Sequence, residues 1–168
     1  FVIYDEGDRL STVKQISKQL QIDDKAFPPR TIASMISSAK NEAMSPAEYA
    51  NKANSPAQKV ASQVFPGYQR ALHNAGALDF DDLISKTLEL LINSEEIRAK
   101  WRENFKYIMI DEYQDTNSAQ YQLIKMLVNN NKNIAVVGDD WQSIYSWRGA
   151  DFRNILRFEQ DYKNVTVI

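Results

Sequence analysis

The apolar positions follow one rhythm up to Gly76 and another from Leu78 onward. In the first stretch they recur at helical spacing. Val13, Ile16 and Leu20 fall on one face, and Ile32, Met35, Ile36, Ala39 and Ala43 form a second stripe that Thr31 can cap. Val60, Val64, Tyr68 and Leu72 form a third. All five prolines lie within the first 66 residues and separate these helices. Ser45-Pro46-Ala47-Glu48 reads as a capping box with proline at the first helical position, and Ser55-Pro56 as another helix start. Pro66-Gly67 predicts a kink or break, because proline removes a backbone donor and clashes with the preceding turn. Gly76 is placed to end the helix.

From Leu78, Phe80, Leu83, Ile84, Thr87, Leu88 and Leu91 sit at helical spacing with Asp79 as cap. Tyr107-Ile108-Met109-Ile110 is a short continuous apolar run, which predicts a strand buried on both faces and hence a parallel sheet. A helix with Leu123, Ile124 and Leu127 follows, then a second such strand, Ile134-Ala135-Val136-Val137. A short helix (Phe152, Ile155, Leu156) leads to a third, Val165-Thr166-Val167-Ile168. Strands alternating with helices predict right-handed βαβ units. The expected architecture is α/β: a mostly helical part over 1–77, then a partial parallel sheet with flanking helices over 78–168.

Composition narrows the function. The 168 residues suffice for one domain or two small ones. The absence of cysteine excludes disulfides and Cys-based zinc sites. A single histidine, His73, cannot build a His-rich metal site and reads as a helix-surface residue. No apolar run approaches the roughly 18 residues of a membrane span, and no signal peptide is visible, so the expectation is a cytoplasmic protein without a membrane partner. The start at Phe1 reads as a piece of a longer chain. Residues 1–77 hold nine basic and seven acidic side chains, and 78–168 hold eleven and fifteen, within a net charge of −2. With so little bulk charge, any nucleic-acid contact must come from a local patch or from stacking.

Candidate chemistry gathers at two strand ends. Ile108-Met109-Ile110 delivers Asp111 and Glu112 at its C-terminal end, the edge where open α/β sheets bind ligands. Nucleotide hydrolysis needs two carboxylate tasks there, one holding Mg²⁺ and one orienting or deprotonating the attacking water. Any soluble strand can end in Asp-Glu, so the pair alone leaves a purely structural reading open. The second strand ends in Gly138-Asp139-Asp140, followed by Trp141-Gln142-Ser143-Ile144-Tyr145-Ser146-Trp147-Arg148-Gly149. Tyr145 and Trp147 share a face if extended, and stacking a base on such a ring is worth about 1–3 kcal/mol whatever the base. Arg148 adds a fixed positive fork, and Gln142 a neutral donor suited to a terminal phosphate. Covering the core remains an alternative use of these aromatics.

Together these residues resemble a known family. Asp111-Glu112-Tyr113-Gln114-Asp115-Thr116-Asn117 resembles motif II of the UvrD/PcrA/Rep-like superfamily 1 DNA helicases, and Val137 to Ala150 resembles motif III. Leu78-Asp79-Phe80-Asp81-Asp82-Leu83 is similar to a further family segment, and Phe1 to about Ala77, with Phe27-Pro28-Pro29-Arg30, to the inserted helical 1B subdomain. The resemblance implies a 1B-like part over 1–77 and a partial RecA-like motor domain 1A of P-loop NTPase type over 78–168. It implies an ATP-driven motor stepping 3′ to 5′ on single-stranded DNA and opening duplex at single-strand/double-strand junctions. Asp111 would hold Mg²⁺, Glu112 would activate water, and Gln142 would sense the γ-phosphate of ATP. Tyr145 and Trp147 would contact DNA, and Arg148 would couple the two sites. Trp141 departs from the family's small or acidic residue, and Pro66-Gly67 interrupts what is a continuous helix in the family.

No Gly-x-x-x-x-Gly-Lys-Ser/Thr loop occurs in the chain. The expectation is therefore a chain that works with the motif I region and second motor domain of a longer protein and is inactive alone. A sheet lacking the strand that carries the phosphate loop would leave an edge or face open, which predicts some self-association. Two other classes compete: a non-catalytic single-stranded-DNA-binding module, and a two-metal nuclease centre built from Asp111, Glu112, Asp139 and Asp140.

Overall fold

Caps decide where the helices begin. The computed structural model describes residues 1–129, 133–139, 150, 153–162 and 165–167, and the chain divides into two units, 1–85 and 86–168. The first unit comprises β1 (Val2–Tyr4), α1 (Glu6–Gln19), α2 (Pro29–Asn41), α3 (Pro46–Lys52), α4 (Pro56–Asn74), β2 (Ala77–Asp79) and the start of α5 (Phe80–Asn93). Reciprocal capping boxes start α1 (Asp5 with Asp8), α3 (Ser45 with Glu48) and α4 (Ser55 with Gln58). Asp79 caps α5 in the same way, because its carboxylate accepts from the Asp82 N–H at 2.8 Å and its own N–H donates to Asp82 at 3.3 Å. Thr31 is not the cap of α2. That helix starts at Pro29, with Pro28 before it and no side-chain cap, because a proline at the first helical position has its φ preset and no N–H to satisfy.

Of the kink or break expected at Pro66, the break does not occur: α4 runs through it to Asn74. An internal proline costs about 3 kcal/mol, but Val64, Phe65, Tyr68 and Leu72 are all buried around it. Burying each large apolar side chain is worth about 1.5–3 kcal/mol, so packing outweighs the lost bond. Gly67 permits a close helix approach, since a Cβ there would stand 2.9 Å from Cγ2 of Ile16 in α1. The core joins Val13, Ile32, Ile36, Val64, Phe65 and Tyr68, with Tyr49 meeting Phe65 edge-on at 6.2 Å. β1 was not legible as a strand; it pairs in parallel with β2, Val2 opposite Ala77. Gly76, at φ +59°, turns the chain from α4 into β2.

The second unit holds the rest of α5, then α6 (Glu95–Asn104), β3 (Ile108–Ile110), a 3₁₀ turn (Tyr113–Asp115), α7 (Ser118–Leu127), β4 (Ile134–Val136) and α8 (Arg153–Asp161). β3 and β4 pair in parallel, Ile108 opposite Ile134 and Ile110 opposite Val136. These four residues pack against Tyr113, Val128, Phe158 and Tyr162. The strands are not buried on both faces as expected. Met109 is 78% exposed, and Tyr107 and Val137 are exposed beside it, because one side of the ladder carries the whole cluster. The third expected strand is also absent: 165–167 adopt no strand, and Val165 packs on the same cluster instead, with Ile168 outside the described residues. An apolar run reports burial, which an irregular segment can satisfy as well as a ladder. Among the described residues no helix is long and apolar enough to cross a membrane.

Candidate functional site

β3 ends in Ile110, and the next two residues are the exposed carboxylates Asp111 and Glu112. The strand stops because Glu112 takes a left-handed backbone, φ 51° and ψ 41°, which for a non-glycine residue costs about 1–3 kcal/mol. Its N–H donates to Oδ1 of Asp111 at 2.9 Å. The chain then tightens into the 3₁₀ turn, whose Tyr113 N–H donates to the Val137 carbonyl at 2.9 Å while the Val137 N–H donates to Ile110 at 2.8 Å. The ends of β3 and β4 are thereby tied by backbone bonds beyond the strands themselves.

The remainder of the Asp111–Asn117 segment is anchoring. Tyr113 is wholly buried edge-on to Phe158, and burial, with neighbouring Tyr162, pushes its hydroxyl well above the ordinary tyrosine value. The Thr116 hydroxyl donates to the Tyr113 carbonyl at 2.7 Å. Asn117 caps α7 in a reciprocal box with Gln120 and forms an antiparallel bridge with Ala150. Asn154 of α8, buried, donates from Nδ2 to the Thr116 carbonyl at 3.0 Å and to its hydroxyl at 3.2 Å. The carboxylates at the strand end therefore stand on a turn braced from three sides.

Beside them opens a hollow of about 390 Å³, lined by Asp111, Glu112, Asp115, Thr116 and Gln120 with apolar Leu123. Its acidic and hydroxyl donors are hard oxygen ligands, the chemistry Mg²⁺ prefers, and Mg²⁺ usually binds one or two protein carboxylates together with substrate phosphates. The Asp111 and Glu112 donor set fits that pattern. Among the described residues no group of three or more acidic or imidazole side chains forms a self-sufficient metal cage.

Of the six residues singled out from the sequence, the structure places Asp111 and Glu112 side by side at the end of β3. Gln142, Tyr145, Trp147 and Arg148, with Asp140 and Trp141, lie outside the described residues. Sequence reasoning missed Gln114, wholly buried, whose Nε2 donates to Oε2 of Glu112 at 2.7 Å. It also missed Asn154, for which no local pattern gives a signal. Gly138 at a strand end was a hint of close backbone approach: a Cβ there would come within 2.6 Å of the Gln114 amide oxygen.

Comparison with known proteins gives the family. Over all of its length the chain is 48% identical to the ATP-dependent DNA helicase PcrA of Bacillus subtilis, 46% to that of Staphylococcus epidermidis and 42% to that of Leuconostoc citreum. It spans only 23%, 23% and 22% of those relatives. The family model for the UvrD/REP helicase N-terminal domain matches residues 1–163, and the chain belongs to that family.

Proposed function

We propose that this chain is part of an ATP-dependent DNA helicase that steps 3′ to 5′ along single-stranded DNA. The observation that carries the reading is the Asp111–Glu112 pair at the C-terminal end of β3, in a chain of the UvrD/REP family whose relatives are named as ATP-dependent DNA helicases. Asp111 binds the magnesium that accompanies ATP, and Glu112 orients and deprotonates the attacking water. Bound Mg²⁺ supplies neutralisation of the phosphate charge. The left-handed turn at Glu112 and the hydrogen bond from Gln114 restrain its carboxylate at the hollow that Asp111 also lines, which spares part of the ordering otherwise needed during hydrolysis.

The remaining roles complete the reading. Gln142 senses the γ-phosphate, Arg148 contributes to nucleotide binding and coupling, and Tyr145 and Trp147 stack on single-stranded DNA. The helical part over 1–77 engages duplex at the junction, and 78–168 belongs to the motor domain. The protein acts in the cytoplasm, and this chain needs the motif I region and the second motor domain for activity.

The test is ATP hydrolysis by the full-length protein, with and without single-stranded DNA, against its Glu112→Gln variant. Turnover stimulated by DNA in the parent and lost in the variant, with DNA binding intact, is the expected result. A parent without DNA-stimulated turnover that still binds single strands would replace this reading with the non-catalytic binding module.

A further inference from the structure

We infer that Gln114 is a positioning residue that ties the water-activating carboxylate to the end of β4. The inference rests on the hydrolytic reading of Glu112 and goes beyond it by naming the group through which the neighbouring strand acts on that carboxylate.

Three observations carry it. Gln114 is wholly buried, yet both ends of its carboxamide are used. Nε2 donates to Oε2 of Glu112 at 2.7 Å, and Oε1 accepts from the Asp139 N–H at 3.0 Å. The orientation of the amide follows from chemistry: a backbone N–H can only donate, so the oxygen faces Asp139, and an ionised carboxylate can only accept, so the NH₂ faces Glu112. Finally, Gly138 leaves room for it, because a Cβ at that position would fall 2.6 Å from Oε1 and 3.0 Å from Cδ1 of Ile155.

The consequence is mechanical. Glu112 sits in a left-handed backbone at an exposed turn, and an unrestrained glutamate there would sample many rotamers. One amide fixes its carboxylate and makes that position depend on where the Gly138–Asp139 backbone lies. Gln142, Tyr145 and Trp147 follow directly in sequence, so a shift of that backbone on DNA engagement reaches the Glu112 carboxylate through the Gln114 side chain, beside the backbone bonds that tie Tyr113 to Val137. A hydrogen bond to a carboxylate at 2.7 Å is of the charge-assisted kind, roughly twice as strong as one between neutral groups.

The test uses the full-length protein and the variants Gln114→Met, Gly138→Ala and Glu112→Gln. Gln114→Met keeps the bulk and removes both polar ends; Gly138→Ala leaves Gln114 in place and displaces its amide. The expected result for both is a fall of about 100-fold in DNA-stimulated kcat with KM for ATP unchanged. The ratio of DNA-stimulated to DNA-free turnover falls toward unity, which a merely smaller folded fraction would not produce. If Gln114→Met does not fold, as its melting curve would show, Gly138→Ala decides alone. A wild-type ratio in Gly138→Ala overturns the inference. Full turnover in Glu112→Gln would instead refute the hydrolytic reading beneath it, whatever the Gln114 variant does.

Discussion

Lys40 and Asp79, 39 residues apart, meet at 2.7 Å with both side chains only 1% exposed. Asp82 lies 2.9 Å from the same ammonium, the Tyr68 hydroxyl donates to Asp79 at 2.7 Å, and the ammonium stands 5.1 Å over the Tyr68 ring. One cation thus holds α2, α4, β2 and the start of α5 together at a point where two carboxylates would otherwise be buried unpaired. Lys40→Met should cost about 3–5 kcal/mol, because breaking a buried pair leaves uncompensated charge. Adding Asp79→Asn and Asp82→Asn should recover most of it. Denaturant unfolding of the single and triple variants measures both, and a mild Lys40→Met would show that the network contributes little.

The same network fixes an acid sensitivity. Burial pushes the Asp79 carboxyl up, but the charge and hydrogen bond of Lys40, with the Tyr68 hydroxyl, outweigh it and hold Asp79 below the ordinary carboxylate value. As pH falls, the unfolded chain takes up this proton first, so the stabilisation is present above the ordinary carboxylate range and lost below about pH 4. Asp81 has the opposite sign, since burial raises its carboxyl and protonation there favours the folded state. Stability against pH should fall in acid in the parent and fall less steeply in Asp79→Asn. Equal slopes would remove Asp79 from the account.

Gly67→Ala sets two effects against each other. Alanine in a helix gains up to about 1 kcal/mol over glycine. The new Cβ would stand 2.9 Å from Cγ2 of Ile16, a β-branched side chain with little rotamer freedom, and overpacking of that kind costs about 1–3 kcal/mol. The expected sum is a net loss, relieved when Ile16→Ala is added. Melting temperatures of the single and double variants would show it; a more stable Gly67→Ala would mean that α1 yields easily.

Asn154→Ala removes the donor that braces the carboxylate turn from α8. The buried Thr116 carbonyl would lose its Asn154 partner, at a cost of about 1–3 kcal/mol. The expected signature is lower thermal stability together with weaker hydrolysis in the full-length protein. Unchanged values for both would make the Asn154 contact incidental.

Met109 is 78% exposed on the outward side of β3, near exposed Tyr107 and Val137. Met109→Lys should therefore alter folding stability by no more than about 0.5 kcal/mol. It should also reduce concentration-dependent association of the isolated chain, because exposed contiguous apolar surface drives self-association. Sedimentation of parent and variant across concentrations tests this, and a monomeric parent at high concentration would count against it.

Some of this molecule was decided by short stretches of sequence. Ser45-Pro46-Ala47-Glu48 starts a helix because its own side chains satisfy its own first backbone donors, and Gly76 ends one because it tolerates φ +59°. Ile108-Met109-Ile110 before Asp111 and Glu112 placed two carboxylates at a strand end for the same local reason. What required the folded chain was everything whose cause lies far away in sequence. Pro66 stays helical because its neighbours are buried against other helices, and β1 becomes a strand only because β2 lies beside it. Met109 faces outward because the Tyr113–Phe158 cluster occupies one side of the ladder alone. Gln114 looked like one letter of a motif until folding brought the Asp139 N–H to its oxygen. Composition and periodicity encode what a residue does to its own backbone and how much of it is buried, whereas the identity of a distant hydrogen-bond partner is settled only when packing brings the two together.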